Sequence, residues 1–279
     1  MKRFTTRTAL SKYLQKERSA GKKIGFVATM GALHAGHLSL IDLAKEKAGV
    51  VVASIFVNPT QFNDPKDLER YPRPIEQDIA KLEQAGCDVL FNPPVEEMYA
   101  EGENWHIDLK GLDTVLEGNQ RPGHYQGVTQ IVKKLFDVVG PDFAFFGQKD
   151  YQQFLVIREM VKTFGLKTQL VMCPIVREND GLAMSSRNIH LSDTDRQHAL
   201  ALSQVLRSAK TGFESKPAQA VKEQAIAELS NSPGIDLQYF EICDGETLKP
   251  VSEKNAKSIV ALVAARIGNI RLIDNIILK

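Results

Sequence analysis

Two histidines, His34 and His37, lie three residues apart in the segment TMGALHAGH, which also contains Gly31 and Gly36. The segment follows an apolar run typical of a buried strand and precedes an apolar helical pattern. At positions i and i+3, both imidazoles are expected to face one point on the first turn of that helix. The unpaired amides of a helix N-terminus attract anions, and the glycines allow a ligand close to the backbone. The pattern therefore predicts a phosphate site in which both rings donate hydrogen bonds to phosphoryl oxygens.

Other readings of the two histidines are less favoured. No H-E-x-x-H pattern and no third ligand lies nearby, which argues against a zinc site. The glycine spacing matches neither the dinucleotide fingerprint nor the Walker A loop. Two structural histidines without a ligand remain as the alternative to phosphate contact.

Further polar residues follow other strand-like runs. Lys149 lies in GQKD at the end of one run, and Asn58 and Gln61 lie in NPTQF after another. Gln153 is close to the start of a helical pattern. Because parallel strands end at one edge of a sheet, these side chains and the histidines are expected to share that edge. An amide both donates and accepts, which suits an uncharged hydroxyl group of a substrate.

A doubly wound parallel α/β sheet of Rossmann type is expected to position these residues. Apolar strand patterns and amphipathic helical patterns alternate from the N-terminal helix, marked by Leu10, Tyr13 and Leu14, as far as Val176. The predicted strands are 23–29, 51–58, 87–93, 142–147 and 168–176, and the predicted helices between them are 37–49, 74–85, 127–139 and 151–164.

The pattern changes after Val176. A polar loop leads to a helix capped by Ser192 and ending near Ala209, and a second helix covers about 217–229. Three strand-like runs complete the chain. The sequence thus predicts a first domain at 1–176 and a smaller C-terminal α+β domain at 177–279.

Composition excludes several classes of function. The 279 residues carry a net charge of +1, so no general field favours nucleic acid or an anionic membrane. No apolar run approaches the roughly 18–20 residues that a membrane span needs. The three cysteines are distant from one another and lie in apolar runs, which indicates buried thiols and a cytoplasmic location.

Motifs spread over most of the chain resemble those of the pantoate–β-alanine ligase family. In order, they are GFVATMGALHAGH, SIFVNPTQF, YPRPIEQD, RPGHYQGVTQIVKKLF, FFGQKDYQQ and MSSRN. The first motif alone resembles the H-x-G-H signature of the nucleotidyltransferase superfamily, to which class I aminoacyl-tRNA synthetases belong. The resemblance implies condensation of (R)-pantoate with β-alanine through a pantoyl adenylate. It also implies ATP with Mg²⁺ as co-substrate, AMP and pyrophosphate as products, and a homodimer.

The resemblance also implies roles for individual residues. His37, with His34, would be catalytic, and Asn58, Gln61 and Gln153 would bind pantoate. The segment MSSR resembles the mobile Lys-Met-Ser-Lys-Ser loop of the synthetases, and the domain at 177–279 would close as a lid over the ATP- and pantoate-binding domain. The residues implied to contact ATP are Met30, Gly31, Ala32, Leu33, His34, Ala35, Gly36, His37, Gly147, Gln148, Lys149, Asp150, Val176, Met184, Ser185, Ser186 and Arg187.

Some assignments stay open from the sequence. Arg121 and His124 either line the site or brace a dimer contact. Asp78 is expected to be an exposed helix carboxylate rather than a neighbour of Mg²⁺. Two other functions remain as rivals: an adenylyltransferase that keeps its adenylylated product, and a catalytically silent module that senses ATP.

Overall fold

The computed structural model describes residues 1–251 and 253–279, which form two compact units. The first unit comprises Met1–Gly147 and Gln152–Pro174. The second comprises Gln148–Tyr151 and Ile175–Lys279.

A six-stranded parallel sheet forms the first unit, in the order β1-β4-β3-β2-β5-β6. This order reverses between β2 and β5, and open α/β sheets bind ligands outside the carboxyl ends of the strands at such a reversal. The register pairs Thr29, the last residue of β2, with Ile55, the last residue of β3. The strands are β1 (Lys2–Phe4), β2 (Ile24–Thr29), β3 (Val50–Ile55), β4 (Val89–Phe91), β5 (Phe143–Gly147) and β6 (Gln169–Cys173). The predicted doubly wound α/β class is confirmed.

Helices connect these strands and cover the sheet. Leu10 and Leu14 of the first helix are fully buried, as their spacing predicts. The helices are α1 (Arg7–Ser19), α2 (Ala35–Lys47), α3 (Pro65–Arg70), α4 (Ile75–Gln84), α5 (Val95–Met98), α6 (Leu116–Gln120), α7 (His124–Val139) and α8 (Tyr151–Thr163). Throughout the part of the chain that the structure describes, no helix is both long and apolar enough to cross a membrane.

The differences from the predicted elements are local. The edge strand β1 was not predicted, because its three residues include two exposed basic side chains. The strand predicted at 51–58 ends at Ile55, because Asn58 precedes a short 3-10 turn at Pro59–Gln61. The short helices α3, α5 and α6 were also not predicted, since each has fewer residues than a recognisable apolar period requires.

The second unit is built from helices and an antiparallel sheet, which confirms its predicted α+β class. Its helices are α9 (Asp193–Ser215) and α10 (Ala218–Ser230), and its strands are β7 (Ile235–Asp244), β8 (Ile259–Ile267) and β9 (Ile270–Ile277) in the order β7-β8-β9. Ser192 caps α9 by accepting a hydrogen bond from the Asp195 amide at 3.1 Å, as predicted. The helix continues past Ala209 to Ser215 because Phe213 is also buried.

The three cysteines are buried and unpaired, as their apolar surroundings predict. Burial raises the pKa of the Cys87 and Cys173 thiols to about 11. It raises the pKa of the Cys243 thiol to about 12. Thiols in this state are poor nucleophiles at neutral pH, so none of them is a candidate for covalent catalysis.

Candidate active site

The two histidines form a reciprocal cap at the start of α2. His34 is the N-cap residue, and its Nδ1 accepts a hydrogen bond from the Gly36 amide at 3.1 Å. His37 Nδ1 accepts one from the His34 amide at 3.3 Å, and the ring centroids are 4.0 Å apart. A ring nitrogen that accepts a hydrogen bond carries no proton, so both rings are Nε2–H tautomers. The structure thus brings together two imidazoles whose Nε2 atoms are donors. They lie at the switch point of the sheet, where the strand order reverses between β2 and β5.

The amides around this helix start are more fully used than the sequence predicts. The Gly36 amide already donates to the His34 ring. The Asp78 carboxylate accepts from the Ala32 amide at 2.8 Å and from the Leu33 amide at 2.7 Å. Asp78 is only 1% exposed, so its prediction as an exposed helix carboxylate is wrong. It projects from the first turn of α4 and binds the loop at 30–34 between β2 and α2, the histidine loop.

Asp78 supports a strained stretch of backbone. Gly31 and Ala32 have φ angles of 84° and 51°, in the left-handed region. A residue with a Cβ atom loses about 1–2 kcal/mol in this region, so Ala32 needs compensating contacts. The two hydrogen bonds that the Ala32 and Leu33 amides donate to Asp78 supply them, and Lys81 Nζ donates to the Leu33 carbonyl at 2.6 Å. The loop is therefore fixed before any ligand binds.

Gln61 lies beside this loop. It ends the 3-10 turn after β3, is 8% exposed, and its Nε2 is 3.1 Å from Met30 Sδ. Its Oε1 accepts from Asn58 Nδ2 at 3.1 Å. Met30 immediately precedes Gly31, so the structure places a predicted pantoate ligand and the histidine loop on the same edge of the sheet.

Asn58 is the centre of a buried network. It is 1% exposed, and its Nδ2 also donates to the Gly127 carbonyl at 3.1 Å. Its Oδ1 accepts from the Tyr99 hydroxyl at 2.5 Å and from Thr60 Oγ1 at 3.2 Å. Burial raises the pKa of Tyr99 to about 12, so the phenol keeps its proton and donates at neutral pH. With both ends of its amide engaged, Asn58 orients Gln61.

Arg121 and His124 also contact Gln61. His124 is 5% exposed, its Nδ1 lies 2.8 Å from the Gln61 carbonyl oxygen, and its Nε2 lies 3.1 Å from Arg121 Nη1. A guanidinium only donates, so Nε2 accepts and Nδ1 donates to the carbonyl. The structure thus places both side chains against the backbone carbonyl of Gln61.

Gln153 lies in the first turn of α8 and is half-buried. Its neighbour Gln152 is buried and donates to the carbonyls of Leu112 and Val115 at 2.7 and 2.8 Å. The Glu117 amide donates to Gln152 Oε1 at 3.1 Å. The start of α8 is therefore fixed to the loop before α6.

The predicted phosphate residues after β5 occupy a short 3-10 turn, Gln148–Asp150. Gly147 ends β5, and a Cβ atom at this position would meet no atom within 4 Å. Lys149 is half-buried and Asp150 is exposed. Gln148–Tyr151 belongs to the second unit, to which the Tyr151 hydroxyl binds by donating to the Gly245 carbonyl at 2.9 Å.

The polar segment that ends in MSSR is held by hydrogen bonds within itself. Val176 accepts from the Met184 amide at 3.0 Å, and Arg177 pairs with Ala183 in an antiparallel bridge. Ser185 Oγ accepts from the Arg187 amide at 3.2 Å. Ser185 and Ser186 are half-buried and Arg187 is exposed.

Charged side chains bind this segment, and their contribution to the stability of the fold depends on pH. Arg196 donates to Asp180 at 2.9 Å and to Glu178 at 2.5 Å. Partial burial favours protonated Asp180, but the Leu182 amide and the Arg196 guanidinium outweigh it and hold the pKa of Asp180 below its ordinary value. Asp180 therefore stabilises the fold above its ordinary pKa of about 4, and this contribution is lost as the pH falls through the lowered value.

We expect Asp180→Asn to lower the free energy of unfolding at pH 7 by about 1 kcal/mol or less, since the pair is partly exposed. Asparagine can still accept from the Leu182 amide, so the variant isolates the charge. The difference from the parent should shrink as the pH falls from 5 to 3 in urea titrations. A difference that stays constant over that range would contradict the assignment.

Comparison with known proteins identifies close relatives of the chain. A family model described as Pantoate-beta-alanine ligase matches residues 2–277. The pantothenate synthetase of Bacteroides thetaiotaomicron is 48% identical over 277 residues, which are 99% of this chain and 98% of that protein. The solved pantothenate synthetase from Thermus thermophilus has a TM-score of 0.94 at 41% identity, with both chains fully covered. The pantoate-beta-alanine ligase from Francisella tularensis, complexed with beta-gamma ATP and beta-alanine, has a TM-score of 0.80 at 36% identity, covering 100% and 98%.

The fold and the site together define a class of protein. A parallel sheet whose switch point carries a helix start with two imidazole donors is typical of proteins that bind phosphate-containing ligands. The family model and the identity over almost the whole length narrow this class. The chain belongs to the pantoate–β-alanine ligase family, and it is a ligase.

Proposed function

We propose that this chain condenses (R)-pantoate with β-alanine, using ATP and releasing AMP and pyrophosphate. The observation that carries the proposal is the pair of Nε2–H imidazoles capping α2 beside Gln61 at the switch point. The Francisella relative was solved in complex with beta-gamma ATP and beta-alanine, which supports the same co-substrates here.

The reaction takes two steps. A carboxylate oxygen of pantoate attacks the α-phosphorus of ATP, and the bond to pyrophosphate breaks. The amine of β-alanine then attacks the acyl carbon of the pantoyl adenylate, the bond to AMP breaks, and the amine loses a proton. Negative charge grows on the α-phosphoryl oxygens in the first step, and the Nε2–H groups of His34 and His37 stabilise it. The enzyme supplies alignment and charge stabilisation, with no covalent enzyme intermediate.

The amide side chains take the substrate role. Gln61 and Gln153 bind the hydroxyl and carboxylate groups of pantoate, and Gln61 also contacts β-alanine. Asn58 is proposed to act through Gln61, because its amide is engaged at both ends. Lys149 and Arg187 are proposed to bind ATP phosphates, with Val176 and the residues flanking the two cations contributing further contacts.

Mg²⁺ is proposed to enter with ATP. Over residues 1–251 and 253–279, no group of three or more histidine, cysteine or carboxylate side chains could hold a metal ion. Mg²⁺ keeps much of its water and is often bound through substrate phosphates, so it can enter the site together with ATP. EDTA should therefore abolish turnover without shifting the thermal unfolding midpoint, and added Mg²⁺ should restore activity.

One assay separates this function from its rivals. With ATP and labelled pyrophosphate, we expect label to enter ATP only when pantoate is present. AMP should accumulate only when β-alanine is also added. A silent ATP sensor would show no exchange, and an adenylyltransferase would accumulate a dinucleotide product. Either result with folded protein would overturn the proposal.

Asp78 is proposed to position the histidine loop. Asp78→Asn replaces one acceptor oxygen with an amide NH2 group, a donor that faces a backbone N–H, so the Ala32–Leu33 backbone loses one of its two bonds. We expect kcat for pantoate-dependent exchange to fall by about 10- to 100-fold. Ala32→Gly removes the backbone strain and should restore part of this loss in the double variant.

The rescue distinguishes positioning from general stability. The matched control is Glu76→Gln, an exposed carboxylate of the same helix, which should leave exchange unchanged. The imidazole ¹⁵N shifts of His34 and His37 should move in Asp78→Asn and return in the double variant. An activity loss that Ala32→Gly leaves untouched would show that Asp78 has another role.

The cellular setting is also proposed. A homodimer and a cytoplasmic location are consistent with the family and with three buried, unpaired thiols. Light scattering should give twice the chain mass of 31.0 kDa. A monomer at micromolar concentration would contradict the dimer.

A further inference from the structure

Two buried polar residues lie next to each other on β9. Asp274 and Asn275 are 4% and 2% exposed, within the strand Ile270–Ile277. Neighbouring strand residues point to opposite faces, so β9 carries a buried polar group on each face at this level. A buried polar group destabilises a fold unless it is hydrogen-bonded, which makes the partners of these two residues informative.

Asn275 binds the turn that carries Lys149. Its Nδ2 donates to the Gln148 carbonyl at 2.9 Å and to the Lys149 carbonyl at 3.0 Å. Gln148 Nε2 donates back to Asn275 Oδ1 at 3.1 Å. Two donated bonds and one accepted bond match the capacity of a carboxamide, which an aspartate at this position lacks.

Asp274 binds the segment that leads to Arg187. Arg177 donates to its two carboxylate oxygens at 2.7 and 3.1 Å in a bidentate pair. Arg177 also donates to the Gly181 carbonyl at 3.1 Å, inside the loop closed by the Val176–Met184 bond. The Asn275 amide donates to Asp274 Oδ1 at 2.8 Å, so the two side-chain networks share the backbone of β9.

We propose that Asp274 and Asn275 are positioning residues for ATP, which fix the Lys149 turn and the 177–187 segment to adjacent points of one strand. The inference rests on the proposed phosphate-binding role of Lys149 and Arg187. Adjacent strand residues are about 3.3 Å apart, so the anchors of the two cationic segments keep a constant spacing. A triphosphate that needs both cations binds well only while that spacing holds.

Asn275→Asp tests the proposal with a nearly isosteric change that turns the donor toward the two carbonyls into an acceptor. We expect the KM for ATP to rise about 10-fold or more, because two buried carbonyls lose their donor. The KM values for pantoate and β-alanine should stay within about two-fold. Asp274→Asn, which breaks the bidentate pair, should raise the same constant. Asn255→Asp adds the same charge at an exposed position of the second unit and should change none of them.

Parallel variants separate phosphate binding by Lys149 and Arg187 from the positioning role of Asp274 and Asn275. Lys149→Ala and Arg187→Ala should each raise the KM for ATP, and no change in either would overturn the phosphate-binding assignment. If these variants raise it while Asn275→Asp does not, the positioning role is wrong and the assignment stands. An equal rise in the KM values for ATP, pantoate and β-alanine in Asn275→Asp would also overturn the positioning role. Should Asn275→Asp fail to fold, Asn275→Ser keeps one donor without adding charge, and a several-fold rise in the KM for ATP is expected.

Discussion

Replacing His34 with Asn is expected to reduce pantoate-dependent pyrophosphate exchange by about 10²- to 10³-fold, and His37→Gln by a similar factor. Each substitution removes the rigid imidazole Nε2–H group that faces the charge developing at the α-phosphorus, and leaves a carboxamide whose oxygen is used by the cap. Asparagine is a good N-cap residue and glutamine a good third residue of a capping box, so the start of α2 should persist in both variants. The loss should therefore appear in kcat more than in the thermal midpoint.

Non-additivity provides a sharper criterion for the pair. The ring centroids are 4.0 Å apart. His34 Nδ1 accepts from the Gly36 amide and His37 Nδ1 accepts from the His34 amide, so the two residues should act as one unit. The double variant should lose little more than the worse single variant, as is usual for groups that work together. His106→Gln, at an exposed histidine outside the site, should retain full exchange. Unchanged turnover in the double variant would remove the histidines from the mechanism.

Gly127→Ala is expected to have the second-largest effect, on both stability and pantoate use. A Cβ atom at this position would lie 2.3 Å from the Thr60 carbonyl oxygen and 2.9 Å from the Gln61 amide nitrogen. Both are backbone atoms, so the 3-10 turn must move away from α7. We expect a loss of about 1–3 kcal/mol in unfolding free energy, as for an overpacked core. Displacement of Gln61 should raise the KM for pantoate about 10-fold or more, and the KM for ATP less.

A second glycine provides the control for this prediction. Gly212 also lies inside a helix, and a Cβ atom there would meet Val221 at an ordinary 3.7 Å. Gly212→Ala should therefore keep activity and raise stability by up to about 1 kcal/mol, because alanine favours a helix over glycine. Urea unfolding and pantoate saturation curves would measure both variants. A stable and fully active Gly127→Ala would show that the turn yields without cost.

The sequence predicts the scaffold well because its signals are local and repeated. Apolar β-branched runs such as 51–55 report buried parallel strands, and helical apolar spacing such as Leu10 and Leu14 reports the covering helices. The place of the histidine pair follows from the same pattern, since His34 lies between a strand and a helix. Short elements such as β1 have too few residues to carry a period, so only the tertiary pairing with β4 shows them.

The support of the site is harder to predict, because it depends on contacts between distant segments. Asp78 is a first-turn acid of α4, a position that favours an exposed carboxylate near the helix N-terminus. Its burial depends on the left-handed backbone at Ala32, which a sequence of ordinary residues does not signal. In the same way, Asn58 has an amide side chain that suits a ligand residue, and only the structure shows that this amide is hydrogen-bonded to Tyr99 and Gly127.

The most direct test is a crystal structure with a nonhydrolysable ATP analogue and pantoate. We expect phosphate oxygens within about 2.7–3.2 Å of the Nε2 atoms of His34 and His37, with both Nδ1 atoms still bound to their amides. Pantoate should lie against the side chain of Gln61. A nucleotide bound away from the start of α2, or histidine rings that turn Nδ1 toward the phosphates, would contradict this expectation.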